Sequence, residues 1–319
     1  MTESNPRIRP IVCVAISPKA NDDRESLDRA LSDLAQQDPT LKINSQSSDA
    51  QAIIGGMGEL HLQIICERIL DEYKIEINIS APTVICLETI RKRAEAEGKY
   101  IRQTGGRGQY AHVKLRLDPR APGSGYQFVD EIVNGAVPPE FVGPVNLGIR
   151  QAMKGGILAG NEMVDLRAVL YDGSYHAEDS NDLAFEIAAS MAFKEAARKA
   201  DPINLEPLMA VEIVTPQEFA GMVIGDLSRR RGRIDAMEHR AGSPVVRATA
   251  PMAELFGYAA YLREATKGRA KCSVSFARYE VLVGDGESGA EEAGVTANRP
   301  KSPKPRSGSA AAQPESDSQ

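Results

Sequence analysis

Three groupings of residues in this sequence could do chemistry. The first is TGGRGQYAHV (residues 104–113), three glycines around an arginine followed by alternating apolar and polar residues. A phosphate cradle would need GxxxxGK[ST] between a strand and a helix, with the lysine on the phosphates and a hydroxyl for magnesium. Here Gly108 is followed by Gln109 and Tyr110, and no helical pattern comes after them. Tyr110, His112, Lys114 and Arg116 fall on one side of a strand, and Ala111, Val113, Leu115 and Leu117 on the other. The stretch is therefore a hairpin tip, not a nucleotide cradle. By itself it fits a flexible turn as well as a contact loop. In the second case Gly105 and Gly106 let backbone amides approach a polyanion, and Arg107 supplies charge.

The second grouping surrounds His176, which stands shortly before Asp179 and Ser180, two residue types that suit the N-cap of the following helix. No paired carboxylate and nucleophile accompany this histidine, so hydrogen bonding fits it better than acid–base catalysis. His61 in GELHL has Ile65 where the second histidine of a zinc HExxH motif would stand, so no metal site is expected there. It reads as a helix-surface or interdomain residue. The third grouping is basic. Arg229, Arg230 and Arg231 end a helix just before Gly232, where cations suit the negative helix end and glycine the cap. Successive helical residues point about 100° apart, so the three cannot all face one row of phosphates. Lys267 and Arg269 in TKGRA form a weaker pair of the same kind.

These groups need a scaffold to hold them. The chain has 319 residues, which implies two or three domains. Its net charge of -6, absence of tryptophan and 5% aromatic content argue against a free nucleic-acid binder that stacks bases. Local basic sites remain compatible with that balance. No apolar run is long enough to span a bilayer, and a cytoplasmic monomer is expected. The four cysteines have no CxxC spacing and read as reduced core thiols. Residues 1–82 give the order βαββαβ, and residues 204–283 repeat it. The repeat includes a helix opened by Pro216 and a second, continuous helix over AELFGYAAYLREATKG. Between them, residues 83–203 hold the hairpin, a helix around residues 140–154, a strand near residues 163–175 and an alanine-rich helix over residues 182–199. Residues 284–319 are rich in Gly, Ser, Ala, Pro and mixed charge, and are expected to be disordered.

Read end to end, the chain resembles the C-terminal three domains of bacterial elongation factor G, the ribosomal translocase. The motifs that carry the resemblance are GMGELHL (56–62), TGGRGQYAHV (104–113), GSYHAEDS (173–180), LAFEIAASMAFKEA (183–196), VIGDLSRRRGRI (223–234) and ELFGYAAYLREATKGRA (254–270). The resemblance implies ferredoxin-like domains III and V at residues 1–82 and 204–283. They flank a domain IV, residues 83–203, with a left-handed βαβ crossover. It also implies a two-loop tip in the decoding centre, with Gly105, Gly106, Arg107, Gly108 and Gln109 in the first loop and His176 in the second. One or two of Arg229, Arg230 and Arg231, with Lys267 and Arg269, would then face ribosomal RNA. The implied partners are both ribosomal subunits, ribosomal RNA and the mRNA–tRNA duplex. The family's GTPase domain and β-barrel domain have no counterpart in these residues. No enzymatic activity is therefore expected, and GTP and magnesium would belong to the missing domain. The C-terminal half of a ribosome-protection factor shares this architecture with different tip loops. A GHMP-type kinase shares the crossover but needs a phosphate loop that is not here. A non-ribosomal interaction module is the remaining alternative.

Overall fold

The computed structural model describes residues 9–44, 51–103, 108–133, 135–240 and 243–282. The expected disordered segment, residues 284–319, lies outside these.

The first body runs β1 (Val12–Pro18), α1 (Arg24–Gln37), β2 (Lys42–Asn44), β3 (Ala52–Gly56), α2 (Glu59–Tyr73) and β4 (Ile77–Ile79). The sheet order is β2-β3-β1-β4, with every pair antiparallel, which is the ferredoxin-like arrangement of two interleaved βαβ units. Strand alternation buries Val12, Val14 and Ile16. The helices cover that face with Leu27, Leu31 and Leu34 from α1 and Leu62, Ile65 and Ile69 from α2, all at helical spacing. Residues Asn21–Asp23 form a 3₁₀ turn, and Asp23 takes the cap position of α1 without a side-chain cap bond. A short strand, β5 (Thr83–Val84), adds to β1.

The middle body begins with β6 (Leu87–Ile90), β7 (Ala94–Arg102), β8 (Gln109–Pro119) and β9 (Gln127–Asp130). Helix α3 (Pro139–Lys154), strand β10 (Leu166–Ser174) and helix α4 (Asp182–Lys199) complete it. Its sheet order is β7-β8-β10-β9. The only parallel neighbours in it are β9 and β10, joined by the crossover through α3. Ala111, Val113, Leu115 and Leu117 of β8 are fully buried, as the alternation predicts. Two glycines allow the layers to close. A Cβ on Gly98 of β7 would lie 2.1 Å from the Ala188 carbonyl oxygen of α4, and one on Gly148 of α3 would lie 2.2 Å from the Glu186 carbonyl oxygen. The alanines of α4 serve the same close approach: Ala184, Ala188, Ala192 and Ala196 are all buried.

The last body runs β11 (Pro202–Val214), α5 (Gln217–Arg229), β12 (Arg233–Arg240), β13 (Ser243–Pro251), α6 (Tyr258–Ala265) and β14 (Lys271–Val281). The order β12-β13-β11-β14, all antiparallel, repeats the first body. The continuous helix expected over residues 253–268 is instead a 3₁₀ turn, Met252–Glu254, followed by α6. Gly257 has φ +68, a left-handed conformation that interrupts the helix. The buried side chains of the first and last bodies form one continuous cluster, and the middle body has its own.

Strand β11 starts earlier than its apolar pattern suggests, because Pro202–Leu205 pair with β6. The chain thus enters and leaves the middle body through two adjacent antiparallel strands, both attached to the last sheet. Glu88 of β6 lies at this junction and is fully buried. Its carboxylate accepts four backbone N–H bonds, from Ile157 (2.6 Å), Leu158 (3.0 Å), Ala159 (2.9 Å) and Asn161 (3.0 Å). The loop after α3 wraps around it, and Gly156, at φ +58, leaves no room for a Cβ, which would lie 2.3 Å from the Asn161 carbonyl oxygen and 2.6 Å from the carboxylate. Buried charge is tolerated here because each oxygen is satisfied twice.

Candidate nucleic-acid interface

The long strands β7, β8 and β10 deliver two loops to one end of the middle sheet. Of the first loop, Gly108 and Gln109 are described, while Gly105, Gly106 and Arg107 lie outside the described residues. The second loop follows β10 and carries His176, whose side chain is 56% exposed.

Backbone and hydroxyl groups tie the loops together. The Tyr110 N–H donates to the Asp179 carbonyl (2.8 Å). Ser180 Oγ donates to the Tyr110 carbonyl (2.8 Å) and accepts from the His176 N–H (2.9 Å). The Ser180 N–H returns a bond to the His176 carbonyl (3.0 Å). Below these, Tyr110 Oη meets Ser174 Oγ at 2.8 Å. His112 joins Ser174 through Nδ1 (3.3 Å) to Glu97 through Nε2 (3.1 Å). Gly108 packs so closely that a Cβ there would lie 3.0 Å from the Asp179 carboxylate, and one on Gly173 would lie 2.5 Å from the His112 carbonyl oxygen. Tyr100 Oη donates to Gln109 Oε1 (3.1 Å), which fixes the amide with its oxygen toward the sheet.

The electrostatics at the base of the tip are paired. Lys114 Nζ bonds Asp172 at 2.8 Å. That bond, followed by the Gly173 backbone N–H, holds the Asp172 carboxyl below its ordinary value, and Asp172 raises the Lys114 ammonium in turn. Asp179 Oδ2 stands 3.4 Å from His176 Nδ1. The helix that follows is capped by neither Asp179 nor Ser180. Asn181 does this, its Oδ1 accepting from the Ala184 N–H (2.9 Å), because the other two residues are engaged between the loops.

The basic group of the last body divides. Arg230 lies over the rings of Tyr258 (4.9 Å) and Tyr261 (5.4 Å), bonds Asp226 (3.0 Å) and donates to the Glu254 carbonyl (2.6 Å). Arg231, with φ +57, forms an ion pair with the buried carboxylate of Glu206. Arg229 is exposed and has no ion-pair partner among the described residues. Arg269 pairs with Glu218 and covers the Phe219 ring at 4.6 Å, while Lys267 is exposed at a left-handed turn, φ +53. Of this basic group, Arg229 and Lys267 are thus the cations left free, among the described residues, for an outside anion. It follows that Arg230→Ala and Arg231→Ala should each lower unfolding free energy by about 2 kcal/mol or more, through lost cation–π contact or an unpaired buried carboxylate. Arg229→Ala should stay within about 0.5 kcal/mol of wild type. Urea melts of the three variants check this, and equal losses would contradict the division.

His61 does not bridge bodies. Its Nδ1 accepts the Met57 N–H (3.1 Å), so the ring carries its proton on Nε2, which faces Asp38 Oδ2 at 2.9 Å. The bridge from this helix comes from Glu59, whose carboxylate accepts the Gly257 N–H of the last body at 2.9 Å. Sequence reading missed Ser180 and His112 as tip residues. The polar face of β8 was the available signal for His112, and the engagement of Ser180 with the start of β8 had none.

Three family models follow one another along residues 9–288: elongation factor G domain III over residues 9–81, domain IV over 82–201, and the elongation factor G C-terminus over 203–288. A crystal structure of a protein from Thermus thermophilus is similar at 42% sequence identity and a TM-score of 0.69. The match covers 86% of this chain and 41% of that one, so the present sequence spans well under half of its relative. With three consecutive domain matches in the order of the three sheets, the chain belongs to the elongation factor G family of translation factors, of which it carries domains III, IV and the C-terminal domain.

Proposed function

We propose that this chain is the ribosome-binding part of a translocase. In this reading domain IV places its two-loop tip against the mRNA–tRNA duplex in the decoding centre of the small subunit. The C-terminal domain meets ribosomal RNA of the large subunit through Arg229 and Lys267. The observation that carries the reading is the tip itself. The second loop is held to Tyr110, at the start of β8, through Asp179 and Ser180, and Ser180 also holds the His176 backbone. A preorganised second loop of this kind can meet a polyanion at low ordering cost. We further propose that the chain has no GTPase activity of its own, because the matched ranges 9–81, 82–201 and 203–288 leave no stretch for a nucleotide-binding domain. No cofactor or metal is assigned to it.

An in vitro translation reaction titrated with the protein tests the proposal. A fragment that occupies the translocase site without a motor should inhibit weakly. Arg107→Ala should relieve the inhibition and lower the salt dependence of binding by about one counterion. Equal inhibition by both proteins would remove the tip from the contact surface.

A further inference from the structure

We propose that Ser180 is the positioning residue of the tip: it sets where His176 stands relative to the start of β8, the strand that follows the first loop. The inference rests on the tip reading above and adds a residue to it. The His176 imidazole has little to hold it by its own side chain. Among the described residues, its Nδ1 makes a long contact with the Glu178 N–H at 3.4 Å and lies 3.4 Å from Asp179. Its backbone, by contrast, is clamped on both sides by one residue. Ser180 Oγ accepts from the His176 N–H, and the Ser180 N–H donates to the His176 carbonyl. The same hydroxyl uses its proton on the Tyr110 carbonyl, in the strand that rises into the first loop.

One hydroxyl thus saturates its donor and one acceptor between the second loop and the start of β8, about 70 residues apart in sequence. A hydroxyl is required because only it can accept from one backbone and donate to the other at a single atom. Asp179 reinforces the alignment, its carbonyl accepting from the Tyr110 N–H. The helix does not need Ser180 as a cap, since Asn181 fills that role. The hydroxyl is therefore free of a purely helical duty, and its two bonds serve loop spacing.

The test uses the full chain, as wild type, Ser180→Ala, Ser180→Thr, His176→Ala and the double variant Ser180→Ala/His176→Ala. Two readouts are taken: amide hydrogen exchange at His176, and binding to ribosomes by pelleting. Ser180→Ala should raise His176 amide exchange at least about tenfold, as one well-made hydrogen bond is lost. It should weaken ribosome binding about threefold to tenfold, close to the effect of His176→Ala. Ser180→Thr keeps the hydroxyl and should restore both. The double variant should bind no worse than the weaker single one, because Ser180 acts through His176.

Unchanged exchange in Ser180→Ala overturns the proposal whatever the ribosome does. Losses in the double variant that multiply also overturn it, since they would give Ser180 a separate, merely structural effect. If His176→Ala pellets like wild type, the tip reading itself fails, while raised exchange in Ser180→Ala still supports the positioning of His176. The exchange readout keeps those two failures apart.

Discussion

Glu88→Gln is expected to destabilise the chain by about 3–6 kcal/mol, a large share of the stability of an ordinary domain. The carboxylate is fully buried and accepts from Ile157, Leu158, Ala159 and Asn161, two N–H groups on each oxygen. An amide presents an NH₂ group in place of one oxygen, so two backbone donors would face a third donor with no water to rescue them. Each buried donor left unpaired costs about 1–3 kcal/mol, and the loss of charge assistance on the other pair adds to that. The loop after α3 should open first, and hydrogen exchange in residues 157–161 should rise before the rest of the middle domain loosens. Urea melts and exchange measured together check the expectation. A variant that melts within about 0.5 kcal/mol of wild type would show that the loop does not depend on the carboxylate.

Gly98→Ala should cost about 3 kcal/mol or more, although it adds a single methyl group. The new Cβ would sit 2.1 Å from the Ala188 carbonyl oxygen and 2.6 Å from the Ala192 nitrogen, both backbone atoms of α4. A flexible side chain could turn away, but here the strand or the whole helix must move. Moving α4 would also disturb its contact with α3 at Gly148, where the second close approach lies. Thermal melts of the variant should show an early transition confined to the middle domain. Gly143→Ala is the control, since nothing lies within 4 Å of a Cβ there. Equal stability of both variants would contradict the close packing.

How far the sequence reveals this molecule depends on whether a feature is local. The alternation of β8 identified its buried face residue by residue, and the repeated βαββαβ pattern anticipated two sheets of the same order. The alanine-rich helix expected over residues 182–199 has those bounds in the structure. What failed was non-local. Asp179 and Ser180 look like helix caps, but the Asp179 carbonyl and the Ser180 hydroxyl both bond Tyr110 of β8, and Asn181 caps instead. His61 looks available on a helix surface, but Asp38 lies 23 residues earlier and holds it. Helical spacing shows that the three arginines cannot all face one way, but only tertiary partners, Tyr258 and Glu206, show which are engaged. Glu88 gave no signal at all, because its four donors belong to a loop 70 residues away.

The central claim is that the chain binds ribosomes through local charge despite its net charge of -6. The most direct measurement is pelleting of the full chain with purified ribosomes at two salt concentrations, about 50 and 200 mM. The account predicts that the protein pellets with ribosomes at low salt and is largely released at high salt, because each phosphate neutralised gives back counterions. Protein that remains folded yet stays in the supernatant at both concentrations would contradict it.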